Sequence, residues 1–148
     1  MPASLQTSGP EGTAAIGAEL AETLAPGDVV LVEGELGAGK TTFVRGAARA
    51  LGVVVAVTSP TFTIGQRYPG SVPVAHVDLF RIFDLSAEDP DLLADYLGPD
   101  TITFVEWPSQ GEAEIASIGR VAARVGIEHA GGDRRTIEIE RIGEAGAL

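Results

Sequence analysis

A single lysine, Lys40, stands inside the octet Gly34-Glu35-Leu36-Gly37-Ala38-Gly39-Lys40-Thr41, and no other lysine occurs in the 148 residues. The octet has the spacing G-x-x-x-x-G-K-[ST]. Each residue type in it has a chemical reason to be there. Glycine backbones reach positive φ and approach a ligand closely, so successive N–H groups can turn toward phosphate oxygens. A helix starting at the end of such a loop adds unpaired amides and the positive end of its dipole. Lys40 would reach the β- and γ-phosphates of a nucleotide, and the Thr41 hydroxyl would ligate Mg²⁺. The competing reading is a plain glycine-rich turn. The flanks argue against it, because an apolar run precedes the octet and an amphipathic run follows it. Glu35, Leu36, Gly37, Ala38, Gly39, Lys40, Thr41 and Thr42 are therefore the candidate phosphate-binding residues.

Two more carboxylates end apolar runs: Asp78 in "VAHVD" and Glu106 in "TFVE". At the C-terminal edge of a sheet that also feeds the glycine loop, such groups face the phosphates. One could hold Mg²⁺ and the other orient an attacking water. Acids also end strands simply because the chain is leaving the core, so each carboxylate has a bland alternative. In "TSPTF" the hydroxyl of Thr61 is either a switch-type contact to Mg²⁺ or γ-phosphate, or ordinary turn chemistry. His76, two residues before Asp78, shares its strand face, and a structural hydrogen bond is its default role. Arg81 is either a charge-neutralising finger or an arginine packed on acidic neighbours. Trp107, the sole tryptophan, is either core or a contact at the mouth of the site. Guanine readers commonly use N-K-x-D, which a chain with one lysine cannot hold elsewhere, so ATP is the expected nucleotide.

These residues need elements to position them. Ser8 and Glu11 have capping-box spacing, opening a helix through "EGTAAIGAELAETL" with Ile16, Leu20 and Leu24 on one face. "DVVLVEG" reads as a buried strand. After the loop, Phe43, Ala47 and Leu51 mark a second helix that Gly52 stops. "TFTIGQRY", "VPVAHVDLF" and "TITFVEW" are rich in β-branched and aromatic residues and read as strands. "LSAEDPDLLADYLG" between the last two reads as helical, with a break near Pro90. "RVAARVGIEH" and "RRTIEIERI" alternate and are joined by Ala130-Gly131-Gly132-Asp133, the pattern of a β-hairpin. The expectation is one α/β domain over residues 1–148: a P-loop NTPase-like mixed β-sheet flanked by helices, with a C-terminal antiparallel hairpin.

Composition narrows the setting. Cysteine is absent, which excludes disulfides and thiolate chemistry. The N-terminal residues lack the pattern of a signal peptide, and no apolar run is long enough to span a bilayer, so a cytoplasmic protein without membrane contact is expected. Net charge is −11, and six acidic residues with no basic one lie between Asp84 and Asp100. A protein gripping nucleic acid by itself presents a basic surface. Autonomous RNA binding is therefore disfavoured, and the acidic stretch is either a solvated face or a docking surface for a more basic protein.

The motifs "GELGAGKTTFVRG", "SPTF", "HVDLFR" and "VEWP", in this order and spacing, closely resemble the bacterial TsaE (YjeE) proteins. These are small ATPases of the tRNA threonylcarbamoyladenosine pathway, and the resemblance covers nearly the whole chain. Phe80 departs from it, standing where the family's H-x-D-x-Y-R has tyrosine. The resemblance implies that Glu35 to Thr41 hold the ATP phosphates, that Thr41 and Glu106 ligate Mg²⁺, and that Asp78 serves hydrolysis. It also gives Trp107 a functional role, and brings the helix start near Pro10 and the hairpin turn near Gly132 around the nucleotide. Family members act with TsaB and TsaD, which transfer a threonylcarbamoyl group to the adenosine beside the anticodon. TsaE would hydrolyse ATP to ADP to reset that complex, slowly by itself and faster with partners, meeting tRNA only indirectly. The alternatives from other classes are a small-molecule kinase, against which the lack of an arginine-rich lid counts, and a nucleotide sensor without turnover.

Overall fold

In the computed structural model, which describes residues 3–35, 37–58, 64–80, 91–108 and 111–142, the apolar run before the glycine loop is strand β2 (Asp28–Gly34). Its side chains alternate between two cores. Val30 and Val32 pack with Phe43, Val44 and Ala47 on one face of the sheet. Val29 and Leu31 pack with Val77, Val105 and Ile115 on the other. A strand buried on both faces has no polar side to show, which is why this segment is continuously apolar.

The sheet has seven strands in the order β1-β7-β6-β2-β5-β4-β3. Its centre is parallel: β6 (Arg120–His129), β2, β5 (Ile102–Glu106) and β4 (Val74–Asp78) run the same way. The flanks are antiparallel. β3 (Gly65–Tyr68) pairs with β4, while β7 (Arg135–Arg141) pairs with β6 as the expected C-terminal hairpin. Strand β1 (Ala3–Thr7) pairs with β7 at the far edge and has no counterpart in the sequence expectations. The mixed α/β class is as expected.

Helices α1 (Pro10–Ala21) and α2 (Lys40–Ala50) cover the face that holds Phe43. They cross closely because two glycines meet opposing backbone. A Cβ on Gly17 would lie 2.2 Å from the Phe43 carbonyl oxygen, and one on Gly46 would lie 2.1 Å from that of Ala14. The short helices α3 (Asp91–Ala94) and α4 (Glu112–Ile118) lie on the opposite face, where Leu93 and Ile115 join the second core. No helix of the described residues is long and apolar enough to cross a membrane.

Three local expectations need correction. Ser8 and Glu11 form no capping box: Gly9 is the N-cap without a side-chain cap bond, and Pro10 occupies the first helical position. Proline's fixed φ and missing N–H suit that position without help from a hydroxyl. The helix also ends at Ala21, before Leu24, with Thr23 and Leu24 closing turns onto Leu20 and Ala21. Helix α4 was not anticipated, since one deeply buried residue in seven leaves no period to detect. Residues 61–63 and 85–90, expected as parts of a strand and a helix, lie outside the described residues.

Candidate nucleotide-binding site

The loop leaves β2 where only glycine fits. Gly34 has φ 153°, and a Cβ on it would lie 2.5 Å from the Ile127 carbonyl oxygen of β6. Gly39, at φ 108°, is the N-cap of α2, so the helix begins at Lys40 itself. Lys40 is 5% exposed, and its Nζ donates to the carbonyls of Gly34 and Glu35, both at 2.7 Å. Burial pulls its pKa below that of an ordinary lysine, against the opposing pull of Glu106, Asp78 and Glu35. The ammonium also sits over the Trp107 ring, 4.4 Å from its centroid.

Parallel register sets the carboxylates beside this loop. Val32 of β2 is opposite Glu106 of β5, which is opposite Asp78 of β4. Glu106 is 3% exposed, and its Oε2 accepts from the Thr41 hydroxyl at 2.9 Å. The same oxygen is 2.6 Å from His76 Nε2. His76 is fully buried, and its Nδ1 has no hydrogen-bond partner among the described residues. Burial, reinforced by the charge of Glu106, pushes the Asp78 carboxyl above the usual range, although the Phe80 amide donates to its Oδ1 at 2.9 Å and opposes the rise.

Trp107 completes the enclosure in a strained conformation. Among the described residues it is the one non-glycine with positive φ, 59°, held by its N–H on the Val32 carbonyl at 3.2 Å. Phe80 lies against it with ring centroids 4.9 Å apart. Together these groups line a hollow of about 320 Å³ bounded by Gly37, Gly39, Lys40, Thr41, Thr42, Asp78, Phe80, Glu106 and Trp107. A larger hollow of about 960 Å³ lies past Trp107, bordered by Glu33, Glu35, Glu128 and His129 and, among the described residues, by no lysine or arginine. Its carboxylates would repel phosphate, which favours the smaller hollow as the candidate phosphate site.

The structure thus gathers Gly37, Gly39, Lys40, Thr41, Thr42, Asp78, Glu106 and Trp107 around one space, with His76 behind Glu106 and Ala38 buried in the loop. Pro10 starts α1, whose Thr13 methyl lies 3.8 Å from where a Cβ on Gly39 would be, so this helix start adjoins the loop. Gly132 lies in the hairpin turn, its carbonyl accepting from Arg135 Nη1 at 2.9 Å. Leu36, Thr61 and Arg81 lie outside the described residues. Two further residues contribute to the site, Phe80, which the sequence marks only as a departure from the family motif, and Arg135, to which it gives no role. Phe80 packs on Trp107 at the mouth, and Arg135 reaches the loop, its Nε donating to the Ala38 carbonyl at 2.8 Å. The signal for Arg135 was its place directly after a glycine turn, at the start of a strand.

The family model for "Threonylcarbamoyl adenosine biosynthesis protein TsaE" matches residues 7–137. The tRNA threonylcarbamoyladenosine biosynthesis protein TsaE of Bacillus subtilis strain 168 is 39% identical over 140 residues, covering 93% of this chain and 85% of the relative. The protein of the same name from Streptomyces coelicolor is 39% identical over 136 residues, covering 87% of this chain and 90% of the relative. The crystal structure of Bacillus subtilis YdiB matches with a TM-score of 0.73 at 33% identity, over 97% of this chain and 87% of that one. With a glycine loop, a lysine and two strand-end carboxylates assembled on that fold, the chain belongs to the TsaE family.

Proposed function

We propose that this chain acts in tRNA threonylcarbamoyladenosine biosynthesis as a Mg²⁺-dependent ATPase, hydrolysing ATP to ADP and phosphate for the TsaB–TsaD transferase. The relatives' names support the pathway. The observation that carries the chemistry is the Lys40–Thr41–Glu106 cluster at the head of the glycine loop. In this reading the loop amides and the Lys40 ammonium hold and neutralise the phosphates, in a partly enclosed space where each interaction is stronger than in water. Asp78 has one oxygen committed to the Phe80 amide, and the other, which accepts no hydrogen bond from the described residues, would orient a water. That water attacks the γ-phosphorus while the bond to the bridging oxygen breaks and ADP leaves. Trp107 and Phe80 form the wall that limits solvent entry.

The donor set fits Mg²⁺. A hydroxyl and a carboxylate oxygen lie 2.9 Å apart, both hard oxygen donors. Among the described residues no three histidine or acidic side chains converge into an all-protein metal cage. Mg²⁺ usually takes few protein ligands and completes its shell with waters and substrate phosphates. Thr41 and Glu106 would hold it, and when bound it supplies positive charge against the phosphate oxygens. The acidic composition supports a subunit that meets tRNA only through its partners, in the cytoplasm.

The test is phosphate release by the full chain, with and without TsaB and TsaD, for wild type, Lys40→Ala and Glu106→Ala. Lys40→Ala should weaken ATP and ADP binding by roughly 10- to 100-fold, as loss of a charged hydrogen-bonding group does. Glu106→Ala should leave nucleotide affinity closer to wild type while abolishing the Mg²⁺-dependent rate. The partners should accelerate the wild type. Unchanged turnover in both variants would overturn the site, and a phosphorylated metabolite in place of free phosphate would make the protein a kinase.

A further inference from the structure

Arg135 opens β7 immediately after the hairpin turn and reaches across to the glycine loop. Its Nε donates to the Ala38 carbonyl at 2.8 Å and its Nη2 to the Gly37 carbonyl at 3.4 Å. Its Nη1 donates to the carbonyls of Gly132 and Arg134, both at 2.9 Å. Every one of these acceptors is backbone. Among the described residues no carboxylate pairs with this arginine, although the chain carries 21 acidic residues. A guanidinium whose hydrogen bonds among the described residues all go to carbonyls is placed to impose geometry.

We propose that Arg135 is a positioning residue for phosphate binding: it holds the Gly37 and Ala38 carbonyls on its own side of the loop so that the Gly39 amide faces the bound phosphate. The proposal rests on the phosphate-loop reading above and assigns the orientation of that loop to a residue 97 positions away. In a planar trans peptide the C=O and N–H point in opposite directions. Anchoring the Ala38 carbonyl on Nε therefore turns the Gly39 N–H away from Arg135 and into the hollow. The preceding peptide is clamped at both ends, its Gly37 carbonyl on Nη2 and its Ala38 N–H on the Glu35 carbonyl at 3.1 Å. The clamp matters because Gly37 and Gly39 have φ of 77° and 108°. Glycines that reach these angles can also flip, and a flipped peptide would aim a carbonyl dipole at the phosphate. The planar fork of arginine holds both loop carbonyls and the hairpin turn through three separate nitrogens in fixed relative directions, whereas a lysine has one nitrogen to divide among them. Through Nη1 the same side chain fastens the hairpin turn at Gly132, so turn and loop hold one arrangement together.

The test compares wild type, Arg135→Ala, Arg135→Lys and Lys40→Ala as full-length proteins. Calorimetric titration with Mg-ADP and Mg-ATP reads affinity. Amide hydrogen exchange over residues 34–42 without nucleotide reads loop order. Arg135→Ala should lose roughly tenfold in affinity, equally for both nucleotides, and its loop amides should exchange faster. Arg135→Lys should fall between it and wild type, and carries the test by itself if the alanine variant does not fold. Unchanged loop exchange in a folded Arg135 variant overturns the proposal, whatever the affinity. So does a loss much larger for ATP than for ADP, which would make Arg135 a direct γ-phosphate ligand. If Lys40→Ala leaves nucleotide affinity intact, the phosphate-loop reading itself fails; if Lys40→Ala weakens binding and Arg135→Ala does not, only the role of Arg135 fails.

Discussion

Glu106 keeps a buried carboxylate because two side chains converge on one of its oxygens, the Thr41 hydroxyl and the His76 ring. Removing one of them leaves a charge poorly compensated in a dry place, a costlier state than a well-packed apolar site. His76→Leu should therefore destabilise the protein by about 2–3 kcal/mol in thermal denaturation, with His76→Gln recovering part of the loss by restoring a donor. A leucine variant as stable as wild type would mean that the contact carries no such weight. Asp78 presents the opposite case. Burial holds its carboxyl above the usual range, so the native state binds that proton more tightly than the unfolded chain does. The sign follows: wild-type stability falls as pH rises from the ordinary Asp value through the raised one. Asp78→Asn keeps an acceptor for the Phe80 amide and removes the desolvated charge. It should melt slightly above wild type at neutral pH, by a fraction of a kcal/mol because the group is still partly exposed to solvent, while losing hydrolysis. Melting curves between about pH 4 and 8 check this; a variant melting lower than wild type at neutral pH contradicts it.

At the scale of elements, the α1–α2 crossing depends on glycines where the two helix backbones meet. Gly46→Ala should raise the intrinsic helix propensity of α2 by about 1 kcal/mol. Even so, it should lower stability by about 2 kcal/mol net, since the new Cβ would meet the Ala14 carbonyl at 2.1 Å. Urea unfolding measures the difference, and a variant as stable as wild type would show that the helices separate at no cost. From sequence alone Gly46 is only a weak spot in a helix. The elements legible in the sequence were those with strong patterns: β2 and β5, buried on both faces, and α2, whose apolar residues share one side. Those missed bury almost nothing. β1 is exposed at four of its five residues, and its place depends on backbone pairing with β7, which the side chains of "ASLQT" do not advertise.

For the whole molecule, a net charge of −11 sets what it can meet unaided. Phosphate neutralisation supplies most non-specific nucleic-acid affinity, and an acidic surface offers little of it. The isolated chain should fail to retard tRNA in a mobility assay at micromolar protein and about 0.15 M salt. Retardation there would show that it contacts tRNA directly. Conditions of charge, the absence of cysteine and the phosphate-binding spacing of the loop were all determined by sequence, because each depends on counts or on contiguous residues. The glycines and Lys40 are covalent neighbours, and their chemistry follows from proximity along the chain. The family motifs pointed to Glu106 beside Thr41, and tertiary structure supplied their contact; it alone decided that His76 braces that same carboxylate and that Arg135 lies against the loop. Those partnerships join residues 30 to 97 positions apart. Strand register and hairpin pairing create them, and these are set by packing two cores at once, not by any local run of residues.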